Sequence, residues 1–277
     1  MELGFYTWVG IGVALVVALL VGLYFWHRAS RDRLYAELAA KRGAIIIGHE
    51  PRLAPSIAPQ ALRDSFQRDH IVRVDYFVAP DSMETLRAEA KDCIPLVERS
   101  YVPTHKQGGT VSYEKIHYHA PNCLAFYHSP AVLDWISQVI GEKVVPTADH
   151  DQSSCSLLCY TQEGDHINWH FDHNFYAGRH FTVLLSLVNV GAEGGASKSQ
   201  LMHRDPDGTE HVVDTGENSL VIFEGDHVLH KASQLGKGDT RVLLSFTLST
   251  DPRIGWFQDF VRRVKDTAFY GVRTLWD

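Results

Sequence analysis

From Gly4 to Trp26 the chain reads GFYTWVGIGVALVVALLVGLYFW, with no charged residue. A run of this length is enough to cross the hydrocarbon core of a bilayer as a helix. Aromatic residues stand at both ends, Phe5, Tyr6 and Trp8 before and Tyr24, Phe25 and Trp26 after, where interfacial belts lie. A cleaved signal peptide would want a basic start, a shorter apolar core and a small-residue cleavage site. Here Glu2 precedes the run and the bulky LYFWHR closes it. The pattern predicts a single transmembrane helix over residues 4–26. Arg28, Arg31 and Arg33 follow at once and the other flank has no basic side chain, which places the rest of the chain on the cytoplasmic side.

Residues 27–59 read as a juxtamembrane stem. LYAELAAKRG is a short helix that Gly43 can end, and the Pro-rich HEPRLAPSIAP is an extended connector. A domain over 60–277 then opens with helices. One is expected from Pro59 to Asp69. Another starts at Asp81, with Glu84 completing a capping box, and runs to about Arg99. A third has Ser129 as cap, Pro130 in the first turn and Gly141 at its end. From about Val145 the pattern changes to short β-branched and aromatic runs: CSLLCYT, HFTVLLSLVNV, EHVVDTG, SLVIFEG and TRVLLSFTLST. Helices first and strands later predict an α+β fold whose second half, about 145–250, is an antiparallel sandwich or barrel. The C-terminal GWFQDFVRRVKDTAFYG reads as an amphipathic helix. Phe257, Phe260, Val261, Val264 and Ala268 share one face, and Arg262, Arg263 and Lys265 lie on or beside the other. Either that helix packs on the barrel or on a second subunit, or its basic side chains hold it at an anionic membrane surface.

Composition narrows the function. The formal charge of −7 and pI of about 6.1 exclude a nucleic-acid binder that works through a basic surface. Cys93, Cys123, Cys155 and Cys159 form no CxxC pair, and read as buried free thiols in a reducing compartment.

Sixteen histidines leave room for a metal site, and the stretch NWHFDHNF locates one. In a strand, residues i and i+2 share a face, so His170 and Asp172 project together. An imidazole nitrogen beside a hard carboxylate oxygen suits a divalent iron, manganese or zinc ion, and a His from a distant strand would complete a facial triad. FEGDHVLH supplies His227 and His230 as candidates. Arg241 begins a core strand, where a buried guanidinium is costly unless an anion pairs with it; a carboxylate co-substrate could be that anion. His173, His180 and His227 read as groups around the site or on the surface. HYHAPN, from His117 to Asn122, reads as a loop lining the site or as surface.

The order Tyr160, His170, Asp172, then Arg179 and Thr182 in GRHFTVLLSLVN, then Gly194–Gly195, VIFEGDHVLH and Arg241 resembles the iron(II)- and 2-oxoglutarate-dependent dioxygenases. It is closest to their prolyl 4-hydroxylase-like branch, over roughly Ser154 to Thr250. The resemblance implies a double-stranded β-helix, or jelly roll, with helices packed outside it, so that 60–277 is a catalytic domain. It implies His170, Asp172 and His230 as iron(II) ligands and Arg241, Tyr160 and Thr182 as the 2-oxoglutarate site, with ascorbate as a candidate accessory reductant. The chain departs from the pattern at KASQLGKGDTR, at Ser186 and in GGASKS, which bears on the substrate more than on the iron site. Halogenating relatives have a small residue where Asp172 stands, so hydroxylation is expected. The expected function is a membrane-anchored hydroxylase of an unactivated C–H bond in a small-molecule or lipid-like substrate, with a protein substrate and the oligomeric state left open. The alternatives are a cupin-like metal protein without 2-oxoglutarate chemistry and a membrane-tethered binding protein.

Overall fold

The structure, a computed structural model of the chain, describes residues 2–271 and 274–275. The side chains of Phe5 and Ala268 lie outside the described residues. The first helix, α1 (Glu2–Gly48), runs unbroken for 47 residues. Its apolar part stands clear of the domain: Trp8 is 74 % exposed and Leu15 66 %. The second part behaves differently from the expected stem. It passes Gly43 without stopping, and Leu34, Tyr35, Leu38 and Ile45 pack into the main core. The carbonyl of Leu38 accepts a hydrogen bond from His117 Nε2 at 3.1 Å, Arg31 pairs with Glu114 at 3.0 Å, and Arg42 pairs with Asp149. Packing of this apolar stripe outweighs the local cost of one glycine.

Helix α2 (Gln60–Asp69) falls where the pattern puts it. Helix α3 (Pro80–Asp92) starts with Pro80 at its first position and Ala79 as cap, so Asp81 sits in the first turn and no side chain caps the end. It stops well short of Arg99. Pro95 has no N–H to continue the α-helical ladder. A 3-10 turn at Ile94–Leu96 follows, and the chain enters strand β2 (Glu98–Val102). HYHAPN is helical rather than a loop. It ends α4 (Tyr113–His119) and begins α5 (Pro121–His128), which is buried on every side from Cys123 to His128. A helix with no polar face carries no period for sequence to show. Helix α6 (Pro130–Ile140) has the expected ends: Ser129 Oγ accepts from Val132 N at 3.4 Å, and Gly141 takes a left-handed φ of 87°.

The remaining strands are β1 (Ile71–Val74), β3 (Lys106–Val111), β4 (Val145–Pro146), β5 (Cys155–Tyr160), β6 (His166–His170), β7 (His180–Val190), β8 (Leu201–Arg204), β9 (Glu210–Val213), β10 (Leu220–Glu224), β11 (Leu229–Ala232) and β12 (Thr240–Ser249). They pair in the order β1-β10-β7-β12-β5-β3-β6-β11-β8-β9, with β2 on β3 and β4 on β12. All of these pairings are antiparallel. The sheet curls on itself as a jelly roll, with β3 turning the corner from β5 to β6. The long β7–β12 pair is its spine. Alternation along β12 sends Val242, Leu244, Phe246 and Leu248 into the main core against the helices. Arg241, Leu243, Ser245 and Thr247 point into the barrel, which has a smaller apolar cluster around Tyr160, Leu184, Leu201 and Phe223.

The last helix, α7 (Trp256–Tyr270), carries the expected two faces, but the basic one is turned inward. Arg262 is fully buried and Arg263 6 % exposed, while Trp256 is 85 % exposed and Phe260 58 %. Both arginines are neutralised by Asp259, and Arg262 also by Asp266 at 2.9 Å. The reading in which these arginines reach for lipid headgroups is therefore overturned.

If residues 29–48 belong to the folded domain, Leu38→Ala should lower stability by about 2–5 kcal/mol, as buried leucine truncations do. Thermal unfolding of the detergent-solubilised chain reads this. An unchanged melting temperature would restore the stem as a loose connector.

Candidate active site

Three side chains converge at the barrel mouth. Strands β6 and β11 pair so that His170 lies directly opposite His230. Asp172 follows His170 by two residues, just past the end of β6. His170 Nε2 lies 3.5 Å and His230 Nε2 3.8 Å from Asp172 Oδ1. One ligand atom from each of the three falls within 4.8 Å of the others.

The tautomers are set by the backbone. Nδ1–H of His170 donates to the Asn168 carbonyl at 2.7 Å, and Nδ1–H of His230 to the Val228 carbonyl at 2.9 Å. A carbonyl can only accept, so each Nδ1 carries the proton and each Nε2 presents a lone pair toward Asp172. Asp172 is held from two sides. Its backbone N–H donates to the Gly225 carbonyl at 2.8 Å, and the Thr182 hydroxyl donates to Oδ2 at 2.6 Å. A side chain at Gly225 would set its Cβ 2.6 Å from Asp172 Cβ, so only glycine lets that loop close. Burial acts to raise the Asp172 carboxyl, while the neighbouring His230 and His170 and the Thr182 hydrogen bond act to lower it, and the carboxyl lies well below the usual range. Two neutral imidazoles and one carboxylate, all aimed at a common point, form a donor set for a hard-to-borderline divalent cation with open positions.

Deeper in the barrel lies a second charge. Arg241 is fully buried at the start of β12. Its Nη1 donates to Ser199 Oγ at 3.2 Å and its Nη2 to Thr215 Oγ1 at 2.8 Å. Nε has no partner, and among the described residues no carboxylate pairs with the guanidinium. Tyr160 stands opposite Arg241 in the β5–β12 register, with its ring centroid 5.8 Å from the guanidinium carbon. Burial pushes the Tyr160 hydroxyl up to about 12, so it remains a donor. A cavity of about 570 Å³ joins Arg241 and Tyr160 to the three ligand candidates.

The six residues singled out from sequence thus line one cavity, and Thr182 spends its hydroxyl on Asp172. His173 stacks on Phe175 with centroids 5.6 Å apart, at the cavity wall. His180 is buried beside it and stacks on Tyr176. His227 is exposed, stacked on His70 at 4.7 Å and bonded to Asp226 at 2.9 Å. It neighbours Glu224, whose carboxylate is already occupied by Arg179 at 2.7 and 2.8 Å and by His70 at 2.9 Å. His117 reaches the α1 backbone and lies outside the cavity. Sequence reasoning passed over Ser199 and Thr215, which hold Arg241. It also passed over Lys106 and Asp266 on the facing wall. Nothing in KQGGTV marks Lys106 as an inward residue, because two glycines blur the alternation.

Comparison with known proteins fits this geometry. The family described as Halogenase D matches residues 55–184, a stretch that holds Tyr160, His170, Asp172 and Thr182 but stops before His230 and Arg241. No curated protein matches the chain. Among solved structures, the non-heme α-ketoglutarate-dependent epimerase SnoN from nogalamycin biosynthesis superposes with a TM-score of 0.59 at 14 % identity, over 73 % of this chain and 86 % of that one. A Pseudomonas putida prolyl-4-hydroxylase gives 0.52 at 18 % identity, over 70 % and 99 %. A Burkholderia pseudomallei oxidoreductase of the 2OG-Fe(II) oxygenase family gives 0.56 at 10 % identity, over 73 % and 95 %. The chain has the fold of the 2-oxoglutarate- and iron(II)-dependent oxygenases, the prolyl 4-hydroxylases among them.

His230→Ala should abolish stoichiometric iron(II) binding, while His227→Ala retains it. Thr182→Val, which frees Asp172 on one side, should weaken iron binding about 10–100-fold, the usual effect of losing a ligand's supporting hydrogen bond. Metal content after anaerobic gel filtration measures all three. Loss of iron in His227→Ala alone would reassign the third ligand.

Proposed function

We propose that the chain is a membrane-anchored iron(II)- and 2-oxoglutarate-dependent oxygenase that hydroxylates an unactivated C–H bond. The observation that carries this reading is a pair of complementary binding groups that line one cavity. Two imidazole lone pairs and a carboxylate converge on one point, and the buried Arg241 guanidinium beyond them has no carboxylate partner among the described residues. Iron(II) suits the first and the far carboxylate of 2-oxoglutarate the second. Together with dioxygen as the oxidant they would supply the chemistry for C–H hydroxylation: one oxygen atom of dioxygen would enter the substrate as hydroxyl, and the other would leave in succinate as 2-oxoglutarate loses carbon dioxide.

The chain's own residues do the rest. His170, Asp172 and His230, which line the cavity, would hold the metal. Arg241 offers its fork to a carboxylate, steadied by Ser199 and Thr215, and Tyr160 stands beside it with a protonated hydroxyl. Arg241, fully buried, would meet that carboxylate away from bulk water.

The Halogenase D match favours a second reading, in which a halide is transferred. Asp172 stands against it. A halide needs a ligand position free of protein, and here a carboxylate backed by Thr182 and Gly225 fills that position. Hydroxylation is the reading we adopt.

Membrane anchoring rests on α1. Its apolar window is buried by nothing in the domain and is long and apolar enough to cross a membrane. The same helix continues without a break into the core at Leu38, so a helix that spans the bilayer would hold the domain rigidly at its surface. Such tethering, with Val102, Ile167, Phe171, Phe175 and Leu184 lining the cavity, points to a lipophilic or amphiphilic substrate. Ascorbate has no site that we assign.

The test is succinate release that requires added 2-oxoglutarate. Arg241→Lys keeps the charge but loses the two-pronged contact. The apparent constant for 2-oxoglutarate should then rise by about one to two orders of magnitude, the scale of roughly 1.5–3 kcal/mol for a charged hydrogen bond. An unchanged constant in Arg241→Ala would remove the assignment. For topology, protease added to sealed vesicles that enclose the cytoplasmic face should spare the domain, and digestion without detergent would reverse the orientation.

A further inference from the structure

Helix α7 shows solvent a face that soluble proteins cover. Trp256 is 85 % exposed, Phe257 56 %, Phe260 58 %, Val261 38 % and Val264 47 %. Single exposed apolar residues are ordinary, but a contiguous stripe of large ones marks a contact surface. The opposite face carries the charges and is spent internally, as the pairing of Arg262 and Arg263 with Asp259 and Asp266 shows.

The helix is also tied to the point where α1 meets the domain. His150 bridges them: its Nε2 lies 3.6 Å from Asp259, its carbonyl accepts from Arg262 Nη1 at 3.4 Å, and its ring meets Tyr35 of α1 edge-on at 6.4 Å. Tyr35 comes nine residues after Trp26, the last residue of the apolar run. At 1.5 Å per residue that is about 14 Å along the helix. His150 thus ties the inner side of α7 to α1 within about 14 Å, along the helix, of the point where an anchor would leave the bilayer. Its other side forms part of the catalytic cavity, through Lys265, Asp266 and Tyr270.

We propose that the Trp256–Val264 face of α7 lies in the interfacial layer of the membrane that α1 spans, as a second, in-plane contact. The inference rests on the anchored reading of α1. The seat is apolar rather than electrostatic, because the basic side chains face the protein; aromatic rings at headgroup level and aliphatic ones below supply the attachment. It sets one wall of the cavity against lipid, so an amphiphile leaving the bilayer meets the site without crossing bulk water.

The test uses the full chain reconstituted in phosphatidylcholine vesicles. The four native cysteines are completely buried, so an environment-sensitive maleimide dye reports single cysteines placed at exposed positions. Dye on Phe260→Cys or Val264→Cys should lose most of its fluorescence to lipids spin-labelled near the headgroup, equally in low and high salt. Dye on Leu15→Cys should be quenched by lipids labelled deep in the chain, and dye on the polar loop residue Lys237→Cys by neither. Quenching at position 15 without quenching at 260 and 264 would overturn the α7 contact and leave the anchor standing. Quenching at none of the three would overturn both. Dye-to-dye transfer between 264 positions that fades as protein is diluted in lipid, with no lipid quenching, would give the face to a second copy of the chain and overturn the proposal.

Discussion

Two short strands decide whether this protein has a site at all. β6 and β11 are separated by some sixty residues of chain, yet they pair with His170 opposite His230. Side chains alternate faces along a strand, so a one-residue slip would send one imidazole out of the barrel. The register is held by features on both sides of it. Ile167 pairs with Ala232 beyond a bulge, β11 is clamped by β8 on its far edge, and β6 is clamped by β3. Backbone carbonyls two residues before each histidine then fix both rings with Nε2 inward. Geometry, tautomer and charge at the site all follow from that pairing.

The interior is organised around charges that the chain leaves uncompensated. Elsewhere buried ions are matched: Asp165 by Arg99, Glu224 by Arg179, Arg262 by Asp259 and Asp266. At the barrel's mouth and floor the matching stops. Asp172 faces two imidazoles that offer lone pairs, and Arg241 faces two neutral hydroxyls. An isolated buried charge is among the most expensive features a fold can carry. Arg241 carries that cost at the floor of a cavity whose mouth holds the half-buried Asp172, and the small ionic ligands we propose would offset it.

Much of this was legible in the chain because it is written in short-range pattern. The i, i+2 spacing of His170 and Asp172, the Ser129–Pro130 start and Gly141 stop of α6, and the apolar alternation of β7 and β12 each follow from local chemistry. What escaped depends on tertiary context. Gly43 reads as a helix end, but the α1 stripe through Leu38 finds a core to pack against. Helix α5 is buried all round and so has no period, and Pro95 ends α3 early. The two faces of α7 were readable; which of them turns inward was not, because a pattern gives an axis and not a direction. Asp259 and Asp266 decide it, by matching arginines that would otherwise seek solvent. In the same way Ser199 and Thr215 looked like loop residues, and only the fold brings them to Arg241.

The central claim is that the metal triad and Arg241 form one site for one co-substrate. Anaerobic calorimetry of 2-oxoglutarate binding, with and without iron(II), addresses it directly. The account predicts one 2-oxoglutarate per chain, bound much more tightly when the metal is present, because one end of the molecule meets iron while the other meets the guanidinium. Equal binding with and without metal, or none in the iron-loaded protein, would contradict it.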